Sequence, residues 1–417
     1  MKTVKLIRAS ATLMIGAAAF IYAVPNARAL DNWQNVNDFQ GVPGMSAGSL
    51  ALQTDPTTRT LLFDAGSAYM DNTSGIRPAI LRISTDQGGN WTIVDDFCYS
   101  GWQGAYYRAV ACDPNNNFNL YGAGFVEQTT PSLQDIWFAR ESHDGGTTWS
   151  TTDDLAGSLS TPIADCAAIG VAPSGDVYAA GTCTNSWTVR KRVVTSTLTN
   201  YVTVDSYPGA DNSYQSAQGM GFNSNGGVFV VGFTRGSNGL RQWLTRKGAN
   251  QGLSWSTVDR FVSDRNWTAS EALCMVVDAS GKIYVAGHAD YAKGNKTTNY
   301  ALVRRSTDGG TTWSTVDQSI YGIRHRPWAM TIDAAGNILI CGYVQTANGD
   351  HWVVRKGTPA ANGSVAWVIS DDYQLTPGQS SQARGIVCDA ARNLYVTGRG
   401  VDTTGNEHWI TRKLAAP

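Results

Sequence analysis

Two carboxylates, Asp165 and Glu271, hold equivalent places in a repeated strand, each seven residues ahead of a turn position occupied mostly by Asp. Paired carboxylates of this kind suit a general acid and base acting on a glycosidic bond. The other repeats put Gly48, Tyr106, Ser216, Arg326 and Gln382 at the same place, so Tyr106 joins the two carboxylates as a candidate catalytic group. Two residues further in stand Arg108, Gln218, Trp328 and Arg384, and His325 neighbours Arg326. Arg108, His325, Arg326, Trp328 and Arg384 form the candidate ligand-binding set, because guanidinium groups grip anionic sugars through charge-assisted bonds. The alternative for all of these is a hydrated rim of locally paired charges.

The elements that must position them repeat. Aligned on Trp33, Trp91, Trp149, Tyr201, Trp255, Trp313 and Trp367, the units recur every 52 to 58 residues. Each unit reads as an apolar strand, an Asn/Gly/Ser-rich turn, a second strand ending at Gly, a third carrying Arg, a tight turn, and a fourth strand. Short β-branched and aromatic strands at regular turn spacing indicate an all-β chain. Four strands per unit is the blade of a β-propeller. The last unit stops after its third strand at Arg412-Lys413-Leu414, while Trp33 to Phe39 matches the fourth strand Trp91 to Phe97. A seven-bladed β-propeller closed by its N-terminal strand is the expected fold, in one domain over residues 30–417.

Three of the tight turns read Ser84-Thr85-Asp86-Gln87-Gly88-Gly89-Asn90-Trp91, Ser142-His143-Asp144-Gly145-Gly146-Thr147-Thr148-Trp149 and Ser306 to Trp313. This Ser-x-Asp-x-Gly-x-x-Trp pattern resembles the Asp-box, or bacterial neuraminidase repeat, of sialidase-like propellers. Residues 248–255 carry a worn copy ending at Trp255. The resemblance implies a propeller whose working face lies opposite the boxes. The arginine element that sialidases place ahead of the first box is represented only by Ile76-Arg77-Pro78, in a different order.

Loop lengths agree on that face. The turn Asp lies 9 to 11 residues before the strand-ending Gly everywhere, whereas that Gly stands 9 to 17 residues before the third-strand Arg. Length variation gathers where ligands are met. Arg82, Arg140, Arg190, Arg246, Arg304, Arg355 and Arg412 mark the third strands, and the fourth strands carry Asp95, Asp153, Asp205, Asp259, Asp317 and Asp371, with Asn37 in the N-terminal copy. Arg and Asp are equidistant from the intact turns, which predicts a cross-strand pair within most blades. Trp137, Trp187, Trp243, Trp352 and Trp409, three residues before an Arg, are expected to be packing groups.

Residues 1–29 pair a basic start (Lys2, Lys5, Arg8) with an apolar run and Ala27-Arg28-Ala29, the pattern of a cleaved secretory signal. A secreted or periplasmic protein, monomeric and without stable membrane insertion, is expected. A net charge of −1 gives no field to hold nucleic acid. The seven cysteines lack the paired Cys-x-x-Cys spacing of a zinc site, and no metal or cofactor is expected. Cys166 and Cys183 flank one turn almost symmetrically, which predicts a disulfide across that hairpin. The leading functional reading is a propeller that binds an extracellular glycan or protein through its variable loop face. The alternative is an exo-acting glycoside hydrolase or polysaccharide lyase working on an acidic saccharide at the channel mouth.

Overall fold

The computed structural model describes residues 30–128, 134–158, 163–194, 199–208, 213–261 and 266–416; the signal-peptide reading falls outside them. Seven four-stranded antiparallel sheets form a ring. Blade 1 comprises Ala47–Thr54, Leu62–Ala68, Ala79–Ser84 and Thr92–Phe97. Blade 2 comprises Gly104–Asp113, Asn116–Gln128, Gln134–Ser142 and Ser150–Ala156, and blade 3 Ala164–Val171, Val177–Cys183, Ser186–Val194 and Thr199–Tyr207. Ser216–Phe222, Val228–Arg235, Arg241–Ala249 and Ser254–Asp259 make blade 4; Trp267–Val277, Ile283–Lys293, Lys296–Ser306 and Ser314–Ser319 make blade 5. Blade 6 holds Arg324–Ile332, Ile338–Thr346, Gly349–Pro359 and Val365–Tyr373. In blade 7, Ser381–Cys388, Leu394–Val401 and Glu407–Leu414 are completed by Gln34–Phe39, whose Asn35 and Asp38 lie opposite Arg412 and Ile410. The first strand of every blade packs against the first strands of both neighbours, so these seven line the central channel.

The core lies between sheets. Trp137 of blade 2 packs with Ala164, Cys166 and Ile169 of blade 3; Trp243 of blade 4 packs with Ala272 and Val285 of blade 5. All five tryptophans that precede the strand arginines are fully buried, so they are packing groups.

The three intact tight turns share one set of bonds. In the third, the Asp308 carboxylate accepts from the Thr312 N–H at 2.9 Å and the Ser306 hydroxyl at 2.8 Å. Ser306 Oγ accepts the Gly310 N–H at 2.9 Å, and the Trp313 indole donates to the Gly310 carbonyl at 3.1 Å. Gly310 has φ +91°, and a Cβ there would stand 2.9 Å from the Phe229 ring of blade 4, so both handedness and room demand glycine.

Two bulges recur in every blade. One shifts register between the third and fourth strands, as between Ala139 and Arg140, where Arg140 faces Thr151 and Ala139 faces Asp153. Side chains alternate between faces, so this one-residue slip sends Arg and Asp to opposite sides of the sheet. The expected pairing within a blade is therefore corrected: every one of these arginines but Arg82 reaches the Asp of the preceding blade. Arg140 grips Asp95 at 2.8 and 3.0 Å, and Arg246 grips Asp205 at 2.6 Å through both nitrogens. The predicted disulfide is also absent. The bulge between Cys166 and Ala168 sets Cys166 opposite Gly181 and Cys183 opposite Ala164, and both thiols are free.

Candidate functional site at the channel mouth

The second recurring bulge builds the site. In the channel-lining strands the extra residue is Leu50, Arg108, Ala167, Gln218, Leu273, Trp328 or Arg384 in blades 1 to 7. These seven residues line one cavity of ≈ 50 Å³ on the channel. Arg108, Trp328 and Arg384, taken from sequence as ligand-binding, therefore belong to this inner tier. Tyr106, Asp165, Glu271 and Arg326 form the tier two residues nearer the mouth.

The mouth divides into an ion-paired half and a carboxylate-rich part. Glu271 is buried and held by Arg241 at 2.5 Å and Arg326 at 2.9 Å, with His288 Nε2 at 3.7 Å. Burial pushes its carboxyl up, yet the flanking His288, Arg326 and Arg241 outweigh that and hold it well below the usual range. Glu271 is thus tied into an ion network with Arg241, Arg326 and His288. His325 is buried with Tyr321 beside it, and its backbone N–H is bonded to Asn299. Burial and the nearby Arg355 push its imidazole well below its ordinary pKa. Glu407 is shared between Arg77 at 3.3 Å and Arg399. The arginine of the reordered Ile76-Arg77-Pro78 element thus stands at the mouth, with its guanidinium 5.6 Å from the Tyr106 ring centre.

The carboxylate-rich part lies at the junction of blades 2 and 3. Tyr106 stacks on Phe125 and donates its hydroxyl to Glu127 at 2.9 Å. Burial, with Glu127 beside it, pushes the phenol pKa up. Glu127 and Asp135 face each other across the second and third strands of blade 2. Half-burial, with Glu127 and Asp165 nearby, raises the Asp135 carboxyl to about 6. Asp165 stands 3.8 Å from Arg108. Asp165 and Tyr106 are thus brought into one cluster, while Glu271 serves a separate ion network.

Glu127, Asp135, Arg241, Arg399 and Glu407 were not singled out from the sequence. One signal was available for two of them. Glu127 and Asp135 flank the connection between the second and third strands of blade 2, on the side where loop length varies.

No family model matches the sequence, and neither does any curated protein. Solved structures share the fold. A protein of unknown function from Dyadobacter fermentans is 12% identical with a TM-score of 0.53, covering 92% of this chain and 99% of its own. A Penicillium chrysogenum α-L-arabinanase complexed with arabinobiose is 12% identical at a TM-score of 0.51, covering 91% and 97%. The GH93 α-L-arabinofuranosidase of Fusarium graminearum, also complexed with arabinobiose, is 10% identical at 0.52, covering 91% and 97%. At these identities the likeness is one of fold: this chain is a seven-bladed propeller of the sort on which glycoside hydrolases are also built.

Proposed function

We propose that the protein is an exported glycoside hydrolase that cleaves a saccharide at the blade 2–blade 3 side of its channel mouth. The observation that carries this reading is the cluster of Tyr106, Glu127, Asp135 and Asp165, in which one carboxyl of three titrates near neutrality. Carboxyl groups whose environments drive their pKa values apart divide into acid and base. Asp135, protonated, donates to the glycosidic oxygen as the bond to the anomeric carbon breaks. Asp165, as the base, takes a proton from the water whose oxygen bonds to that carbon. Arg108 lies 3.8 Å from the Asp165 carboxylate. Tyr106 and Arg326 would orient the sugar, and the shared fold with arabinose-releasing enzymes makes arabino-oligosaccharides the first substrates to try.

The assay is hydrolysis of a panel of arabinan, neutral aryl glycosides and acidic aryl glycosides by the protein and its Asp135→Asn variant. Activity should fall as pH rises through about 6, where Asp135 loses its proton. Asp135→Asn should lose at least about a hundredfold in kcat/KM. A wild-type-like rate in that variant would refute the assignment.

A second reading keeps the leading sequence expectation, a glycan- or protein-binding propeller. It is favoured by the saturation of Glu271 and Glu407 with arginines, which makes much of the mouth a fixed platform. Retention on a glycan array with no turnover of any substrate would decide for it.

A further inference from the structure

Beneath the mouth, the bulge residues leave the channel with an imbalance of charge. Two of the seven side chains lining the inner cavity are guanidinium groups, Arg108 and Arg384, and none is a carboxylate. Arg384 makes no ion pair among the described residues. It donates one bond to Gln382 Oε1 at 2.7 Å and lies 4.3 Å from the centre of the Trp328 ring. Among the described residues Arg108 pairs only with Asp165, at 3.8 Å. Two donors lining the cavity, Arg384 Nε and Trp328 Nε1, are buried with no partner among the described residues. The Gln218 amide is already turned to Ser216 at 2.8 Å. Buried donors are nearly always satisfied, and buried charge is nearly always countered.

We propose that this cavity binds one inorganic anion of halide size, held between Arg384, Arg108 and the Trp328 indole. The volume of ≈ 50 Å³ accommodates a few waters or one such ion and is too small for a sugar ring. The Arg384 guanidinium, brought down to about 9 by burial and by the nearby Arg399 and Arg108, is the group an anion would relieve. All seven blades supply the cavity wall, so an ion there would tie the ring together at its axis. The proposal does not depend on Asp135.

The test is a bromide soak of crystals of the whole protein, read by anomalous scattering. A peak within bonding distance of Arg384 Nε and Trp328 Nε1 is expected. In solution, sodium chloride or bromide at tenfold excess over Kd should raise Tm by about 2 °C relative to sodium gluconate of equal ionic strength. The variants Arg384→Met and Trp328→Phe should each lose the peak and the shift; the second keeps the proposal testable if the first does not fold. Absence of bromide from the wild-type cavity would overturn it, leaving waters as the partners of those donors. A peak that persists in both variants would mean an adventitious ion only. Displacement of bromide by glucuronate would instead make the cavity part of a saccharide site and refute a free-ion role.

Discussion

Six of the seven seams between blades are built alike, and the seventh, where the ring closes, is not. At the six, an arginine on the third strand of one blade meets an aspartate on the fourth strand of the blade before it. Five of these pairs are bidentate, and Arg355–Asp317 is bonded through one nitrogen. At the closing seam Asn37 replaces the aspartate and offers Arg82 only a carbonyl oxygen at 3.1 Å. The missing charge comes from Asp64, on the second strand of blade 1 and directly opposite Arg82. The other blades have Gly122, Ala179, Val230, Val285, Ile340 or Val396 at that place.

Asp64 does more than neutralise Arg82. It also accepts from Ser49 at 2.7 Å, from the Trp409 indole at 2.6 Å, and from Thr397. Trp409 and Thr397 belong to blade 7, so one carboxylate joins the first and last blades. The corresponding indole nitrogens of Trp187, Trp243 and Trp352 have no partner among the described residues. A buried arginine requires a counter-charge wherever it lies, and the closing seam supplies one from a different strand.

The largest effect expected is at that exception. Asp64→Ala leaves Arg82, 1% exposed, without a carboxylate and should cost about 3–5 kcal/mol, read as a lowered urea midpoint. Adding Asn37→Asp to an Asp64→Val background rebuilds the ordinary seam and should recover most of that loss. No recovery would mean that the two seams are not alternative solutions to one problem.

A somewhat smaller loss, near 3 kcal/mol, is expected for Asp205→Ala at an ordinary seam, since Arg246 keeps its bond to Thr257. If the ordinary seam proves as tolerant as a surface ion pair, below about 1 kcal/mol, the seams are not what fixes blade order.

The smallest effect concerns the mouth. Glu271→Gln should cost about 1–3 kcal/mol at neutral pH. The folded state holds this carboxyl below its unfolded value of about 4.3, so the contribution is full above that pH and declines as pH falls from there toward the lower folded-state value. Stability curves of wild type and variant should therefore begin to draw together below about pH 4 and keep narrowing as the acid deepens. A gap that persists in acid would show that packing, not charge, is what the substitution removes.

Much of this was legible in the chain. The Ser-x-Asp-x-Gly-x-x-Trp turns bond within eight consecutive residues, so their chemistry is local. Strand number, blade number and the division of blade 7 between the termini follow from repeated patterns that any one unit displays. The inner tier was also partly visible, because Arg108, Trp328 and Arg384 stand at one repeat position. What escaped was everything set by register. The Cys166 and Cys183 pair fails for want of two residues of register. The arginines point to the wrong blade if the bulge beside them is ignored. Asp135 gains its raised pKa from half-burial, then from Glu127 across the sheet and Asp165 in the next one.

The sequence by itself therefore determined a ring of seven four-stranded units closed by its own N-terminal strand, because those facts depend on local turns and on composition that repeats. Only the tertiary structure decided which charges meet: a bulge adds one residue without leaving a mark in the hydrophobic pattern, yet it turns side chains to the opposite face, and seams and mouth alike are made of neighbours that lie dozens of residues apart.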